Sequence, residues 1–292
     1  MTMRFMSCLT LLALGVLTGV STSTSAKTST TAPTTAPTTA PTTPVPFVST
    51  QPAARVEHWQ KRQAAIEQQM QDGPAMAATR LVFVGDSITD FWLLDDDPWV
   101  PGRKFGQQVW NATFGSQAQP VNRAFNIGIS GDRIEHVLHR LQPRAQGGRG
   151  QLDAPGLKPQ FIVLMLGINN SWAAESPVVP SIVMGVREVL RSVHQRQPQA
   201  RIVLQSLLPT SEPARQADVV LPVNAQLVAM AASPEFSLYT VYLDLQPAFV
   251  DAQGHQLGGL FTDGLHPNLA GYTVWRDQLL PFLDRQRAAR RP

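Results

Sequence analysis

One cysteine, Cys8, occurs in the 292 residues, and it lies within the first 26. If that stretch is removed, no disulfide, thiolate nucleophile or cysteine-ligated metal is available, and the core alone must hold the fold. Charge is scarce as well. Lys and Arg total 24 against 21 Asp and Glu, a net of +3, and the only dense basic run is the tail Arg285 to Arg291. A nucleic-acid binder would carry a denser basic face. Gly-x-Gly-x-x-Gly and a phosphate loop ending in Gly-Lys are both missing, so nucleotide binding lacks its usual signals. The apolar run Leu9–Val20 is too short to span a bilayer comfortably.

That run is preceded by Arg4 and followed by the small residues Thr24-Ser25-Ala26. This is the pattern of a signal peptide over residues 1–26, with an uncleaved N-terminal anchor as the alternative. Cys8 precedes the apolar run instead of following it, which argues against a lipoprotein. An exported protein, periplasmic or extracellular, is expected. Residues 27–50 are almost entirely Thr, Ala, Pro and Ser with Thr-Ala-Pro-Thr repeated, a composition that buries little and predicts a disordered tether. One domain is expected over 51–287, followed by a basic tail at 288–292.

Within it, apolar strands alternate with helical stretches. Strands are predicted at Leu81–Val84, Val121–Asn126, Phe161–Leu166, Ile202–Ser206 and Val241–Leu245. Helices are predicted at Ala53–Gln71, Lys104–Thr113, Arg133–Leu141, Ser181–Gln197, Val223–Ala231 and Leu269–Arg287. The strands are continuous apolar runs, as in a parallel sheet covered on both faces. Repeated β-then-α order predicts an α/β sandwich.

In such sheets, chemistry gathers beyond the carboxyl ends of the strands. Four stretches occupy those places: Gly85-Asp86-Ser87; Asn126-Ile127-Gly128-Ile129-Ser130-Gly131-Asp132; Gly167-Ile168-Asn169-Asn170; and Asp263-Gly264-Leu265-His266-Pro267. Each has a plain structural reading: a helix N-cap, a glycine turn, a turn asparagine, and a capping pair on the last helix. Together they supply a serine, a histidine to take its proton, an acid three residues before that histidine, and oxyanion donors. The donors are the N–H groups of Ser87 and Gly131 and the Asn169 amide. Gly-x-Ser-x-Gly is not met, which argues against an α/β-hydrolase elbow. His136 and His139 stand three apart on a helix, but no further ligand cluster accompanies them, so no metal is expected. Asp95-Asp96-Asp97 reads as a solvated loop.

On these blocks the chain resembles the SGNH hydrolases, or GDSL esterase/lipase family. A closer likeness is to the catalytic subunits of platelet-activating-factor acetylhydrolase type Ib. It rests on the second block with His136–Leu141, on Gly167–Asn170, on Arg196-Gln197-Pro198-Gln199-Ala200 and on Ser206-Leu207-Leu208-Pro209, and runs from about Arg80 to Leu283. The resemblance implies a flavodoxin-like three-layer α/β/α sandwich with a mostly parallel five-stranded sheet. It implies a Ser87-His266-Asp263 esterase with an oxyanion hole of Ser87, Gly131 and Asn169, and no cofactor. Here Asn169-Asn170 stands where many members have Asn-Asp. Those relatives are intracellular and lack the leader and tether, so their substrate is not carried over.

A small acyl group, acetyl, is the expected substrate feature. For an exported enzyme an acetylated carbohydrate is attractive, with Trp92, Trp172 and Trp99 as candidate platforms for sugar rings. The plain reading of these tryptophans is core or lid packing. A lipid or phospholipid acylhydrolase is the alternative, and a non-catalytic binding module a third. No partner beyond a small ester or glycan is implied.

Overall fold

The computed structural model describes residues 45–55, 59–173 and 175–289. The expected leader and most of the expected tether lie outside them, as do residues 56–58 of the first predicted helix and Arg290–Pro292 of the tail.

Five strands form one sheet: β1 Leu81–Gly85, β2 Ala124–Asn126, β3 Phe161–Met165, β4 Arg201–Gln205 and β5 Thr240–Leu243. Their order is β2-β1-β3-β4-β5, all parallel, with Leu81 opposite both Ala124 and Phe161, Phe161 opposite Arg201, and Ile202 opposite Thr240. Every residue of β1 and β3 is buried, as their unbroken apolar runs require.

The helices are α1 Trp59–Gln69, α2 Gly73–Ala78, α3 Ser87–Asp90, α4 Gln107–Thr113, α5 Ile134–Leu141, α6 Val178–Arg196, the single turn α7 Pro213–Arg215, α8 Leu221–Ala232 and α9 Leu269–Ala288. α6 packs on α5 and α8, and α4 packs on α9. These two groups flank the sheet in the expected α/β/α arrangement. After β2 the chain crosses back over β1 to lay down β3. The reversal of strand order therefore falls between β1 and β3, and sheets of this kind carry their sites beyond the carboxyl ends at that place.

Several boundaries differ from expectation for identifiable reasons. Pro120 opens a 3-10 turn over Pro120–Asn122, so β2 begins only at Ala124. Residues 53–55 are not helical, and the described part of α1 runs from Trp59. The packed chain also begins earlier than Gln51. Val48–Thr50 forms a 3-10 turn in which Ser49 is buried and donates from Oγ to the Ser181 carbonyl at 2.7 Å. Gly185 of α6 permits this approach, since a Cβ there would lie 2.9 Å from both Ser49 Cβ and the Ser49 carbonyl.

Candidate active site

Ser87 is placed by a strand that stops and turns without slack. Gly85 ends β1 against α3; a Cβ on it would sit 2.1 Å from Thr89 Oγ1 and 2.5 Å from the Met165 carbonyl, so no larger residue fits. Asp86 then caps α3, its Oδ1 accepting from the Ile88 N–H at 3.0 Å. The plain reading of Gly-Asp-Ser therefore holds: Asp86 is the cap, and Ser87 is the first helical residue. Asp86 is fully buried, and burial pushes its carboxyl up to about 7, against the opposing pull of the Ile88 N–H and His266.

His266 reaches Ser87 from the far end of the chain. Its Nε2 lies 2.8 Å from Ser87 Oγ, and its Nδ1 lies 2.7 Å from Asp263 Oδ2. The other Asp263 oxygen accepts from the N–H groups of Leu265 at 3.0 Å and His266 at 2.8 Å. Partial burial raises the Asp263 carboxyl, but the His266 ring and these two N–H groups outweigh it and bring it down to about 2. The Phe91 ring packs on the imidazole, centroids 4.9 Å apart. A carboxylate on Nδ1 leaves Nε2 as the nitrogen facing the hydroxyl.

The loop after β2 comes to the same edge. Gly131 is in a left-handed conformation, φ 77°, and is exposed. Asp132 follows it, and the Asp132 carbonyl accepts from Asn169 Nδ2 at 2.8 Å. Asn169 is thereby tied to the Gly131 loop, with its second amide hydrogen left over. Among the described residues, the backbone N–H groups of Ser87 and Gly131 donate to no protein acceptor.

Asn170 accounts for the departure from Asn-Asp. It is buried, accepts from the Ile134 N–H at 3.0 Å and donates to Glu135 Oε2 at 2.9 Å. An aspartate there would set two carboxylates together in the interior.

The tryptophans divide. Trp92 is fully buried among Phe83, Trp110, Phe114, Tyr272 and Trp275, so it offers no face to a ligand and is not a platform. Trp172 is 52% exposed, with the Arg215 guanidinium 3.8 Å from its ring centre. Trp99 is 66% exposed and leans on Phe91, the residue that contacts His266. Asp97 is not solvated as expected. It is buried, accepts from the N–H groups of Trp99 and Val100 at 2.8 and 3.0 Å, and receives the Thr262 hydroxyl. His136 is buried, and its Nδ1 accepts from the Arg133 N–H at 3.0 Å.

Residues not singled out in the sequence frame the site. Asp90 accepts from the Ser130 N–H at 3.0 Å and from Arg62 Nε at 2.8 Å. Asp132 is fully buried with Arg140, 2.7 Å away, and also meets Arg55 and Trp59 Nε1. Nothing in a single sequence announces that Arg140 is buried, because its partner stands eight residues earlier.

Among the described residues no helix is long and apolar enough to cross a membrane, and no group of three or more metal-binding side chains is gathered.

Several known proteins are similar to this chain. The GDSL-like Lipase/Acylhydrolase family profile matches residues 83–274. Platelet-activating factor acetylhydrolase IB subunit alpha1 of Homo sapiens is 29% identical over 197 residues, covering 66% of this chain and 70% of the relative. Subunit alpha2 of Rattus norvegicus is 31% identical over 195 residues, with the same shares of 66% and 70%. A GDSL-like lipase from Bacteroides thetaiotaomicron superposes with a TM-score of 0.56 at 16% identity, covering 78% of this chain and 98% of that one. That last likeness concerns the fold.

Proposed function

The chain belongs to the GDSL-like lipase/acylhydrolase family and is a carboxylic ester hydrolase; on that footing we propose that Ser87, His266 and Asp263 hydrolyse short acyl esters, acetyl above all. The observation that carries this reading is the continuous relay Ser87 Oγ–His266 Nε2 at 2.8 Å and His266 Nδ1–Asp263 Oδ2 at 2.7 Å.

Ser87 Oγ attacks the ester carbonyl as its proton passes to His266 Nε2. Asp263 holds the ring and offsets the imidazolium charge. The oxyanion is met by the N–H groups of Ser87 and Gly131 and the Asn169 amide. The C–O bond to the alcohol breaks, and His266 returns its proton to the departing oxygen. Water then attacks the acyl-serine, giving a proton to His266. Ser87 leaves with that proton, and the carboxylic acid is released. No cofactor enters these steps.

The acetyl preference is supported by the name of the relatives, acetylhydrolases. For the alcohol portion we propose an acetylated carbohydrate, supported by the exposed rings of Trp172 and Trp99. An acetylated lipid is the second reading, favoured by the platelet-activating factor of the relatives' name. We further propose export, supported by Arg4, the Leu9–Val20 run and Thr24-Ser25-Ala26. N-terminal sequencing of mature protein starting at Lys27 would bear this out.

The central test is Ser87→Ala on p-nitrophenyl acetate. Activity should fall to a trace, and labelling by a fluorophosphonate probe should vanish. Retained turnover would mean another nucleophile. Faster turnover of the decanoate than the acetate would remove the short-acyl reading. Mass spectrometry of acetate released from acetylated glycans and from acetylated lipids separates the two alcohols.

A further inference from the structure

We propose that Arg55 is a positioning residue of the oxyanion hole, one that orients and polarises the Gly131 N–H by binding the other end of the same peptide unit. This rests on the reading of Gly131 as an oxyanion donor. Arg55 lies outside the matched stretch 83–274, on the segment leading into α1.

Its Nη1 donates to the Ser130 carbonyl at 2.7 Å and to Asp132 Oδ1 at 3.1 Å, so it grips the chain on both sides of Gly131. The guanidinium also lies against the Gly131 Cα. A Cβ there would be 2.8 Å from Nη2 and 3.3 Å from Cζ. The Ser130 carbonyl and the Gly131 N–H belong to one planar trans peptide, in which they point in opposite directions. Pinning the carbonyl from one side therefore aims the N–H to the other.

The neighbouring groups remove the remaining freedom. The Ser130 N–H is held by Asp90 at 3.0 Å, and the Asp132 carbonyl by Asn169 at 2.8 Å. The Gly131 N–H is left as the donor of this turn without a protein acceptor among the described residues. A cation on the carbonyl also draws electron density along the peptide and strengthens the N–H as a donor, since hydrogen bonds in series reinforce one another. The charge acts on the transition state, where the oxyanion forms, more than on the neutral ester.

Arg55→Ala should lower kcat on p-nitrophenyl acetate about tenfold with KM within about twofold, a partial form of the loss seen when a donor is removed. A small boronic acid forms an anionic tetrahedral adduct on Ser87, and its affinity should weaken by a similar factor. Added guanidinium ion should restore part of kcat in Arg55→Ala, whereas sodium chloride at equal ionic strength should not. Unchanged kcat overturns the proposal, as does lowered kcat with undiminished boronate affinity. If Arg55→Ala does not fold, Arg55→Lys and Arg55→Gln are judged by the same two criteria, with the glutamine variant expected to lose more. Ser87→Ala is run alongside. Full activity there removes the underlying reading, whereas an inactive Ser87→Ala beside a fully active Arg55→Ala removes this inference alone.

Discussion

The Phe91 ring lies on the His266 imidazole with centroids 4.9 Å apart, and it is itself 3% exposed. The ring proposed to move protons is thus steadied by a core side chain four residues, about one helical turn, beyond the proposed nucleophile Ser87. Phe91→Leu should keep the fold yet lower kcat several-fold, because the imidazole gains freedom. Phe91→Ala should cost about 3–5 kcal/mol of stability in addition. Chemical denaturation beside steady-state kinetics distinguishes the two effects. Wild-type kcat in a folded Phe91→Leu enzyme would deny the contact a role.

Asn169 is expected to act through its amide alone. Asn169→Ala should lower kcat about 10²–10³-fold with little change in KM, the usual loss for one oxyanion donor. Single-turnover kinetics on p-nitrophenyl acetate measures the acylation step directly. An equal rise in KM would instead place Asn169 in ground-state binding.

The buried pair Asn170–Glu135 predicts a charge conflict. Asn170→Asp should destabilise the protein by about 1–3 kcal/mol and lower its Tm. The deficit should shrink as pH is lowered and a carboxyl protonates. Combining it with Glu135→Gln should recover part of the loss. A double-mutant cycle measures the coupling, and strict additivity would mean that the two side chains do not sense each other.

Asp86 predicts the direction of a pH dependence. Its carboxyl titrates near 3.8 in the unfolded chain and is pushed up to about 7 by burial in the folded one. The folded state therefore holds a proton that the unfolded state has released. The contribution is fully present below about 3.8 and is lost as pH rises through about 7. Tm should decline across that window, and Asp86→Asn, which can still accept from Ile88, should flatten the decline. Thermal scans from pH 4 to 8 check this; an unaltered slope in the variant would assign it to other groups.

What was legible in the sequence has a physical pattern. β1 and β3 were visible because both faces are buried and no polar residue interrupts them. The four blocks were visible because the sheet delivers them to one edge and each needs particular residue types. β2 was blurred by Pro120, whose turn merges with an apolar run. The position of Trp92 after α3 says nothing of depth: its ring lies in the core, whereas that of Trp99, seven residues on, is exposed. α2 and α3, at six and four residues, are too short for periodicity to register. Asp90, Arg55 and Arg140 depend on partners separated from them along the chain, a pairing that one sequence does not display.

The turn at Val48–Thr50 bears on where this protein can be cut. Glu175 accepts from the Val48 and Ser49 N–H groups and from the Ser181 hydroxyl, so one carboxylate fastens the incoming chain to the start of α6. A chain trimmed at Gln51, where the low-complexity composition ends, would strip that carboxylate of two donors and uncover the Gly185 notch that Ser49 fills. A chain trimmed at Val45 keeps the fastening whole. The folding unit is expected to begin before Ser49, whose Cβ and carbonyl sit against Gly185 and whose hydroxyl binds Ser181, within sequence that by composition reads as tether.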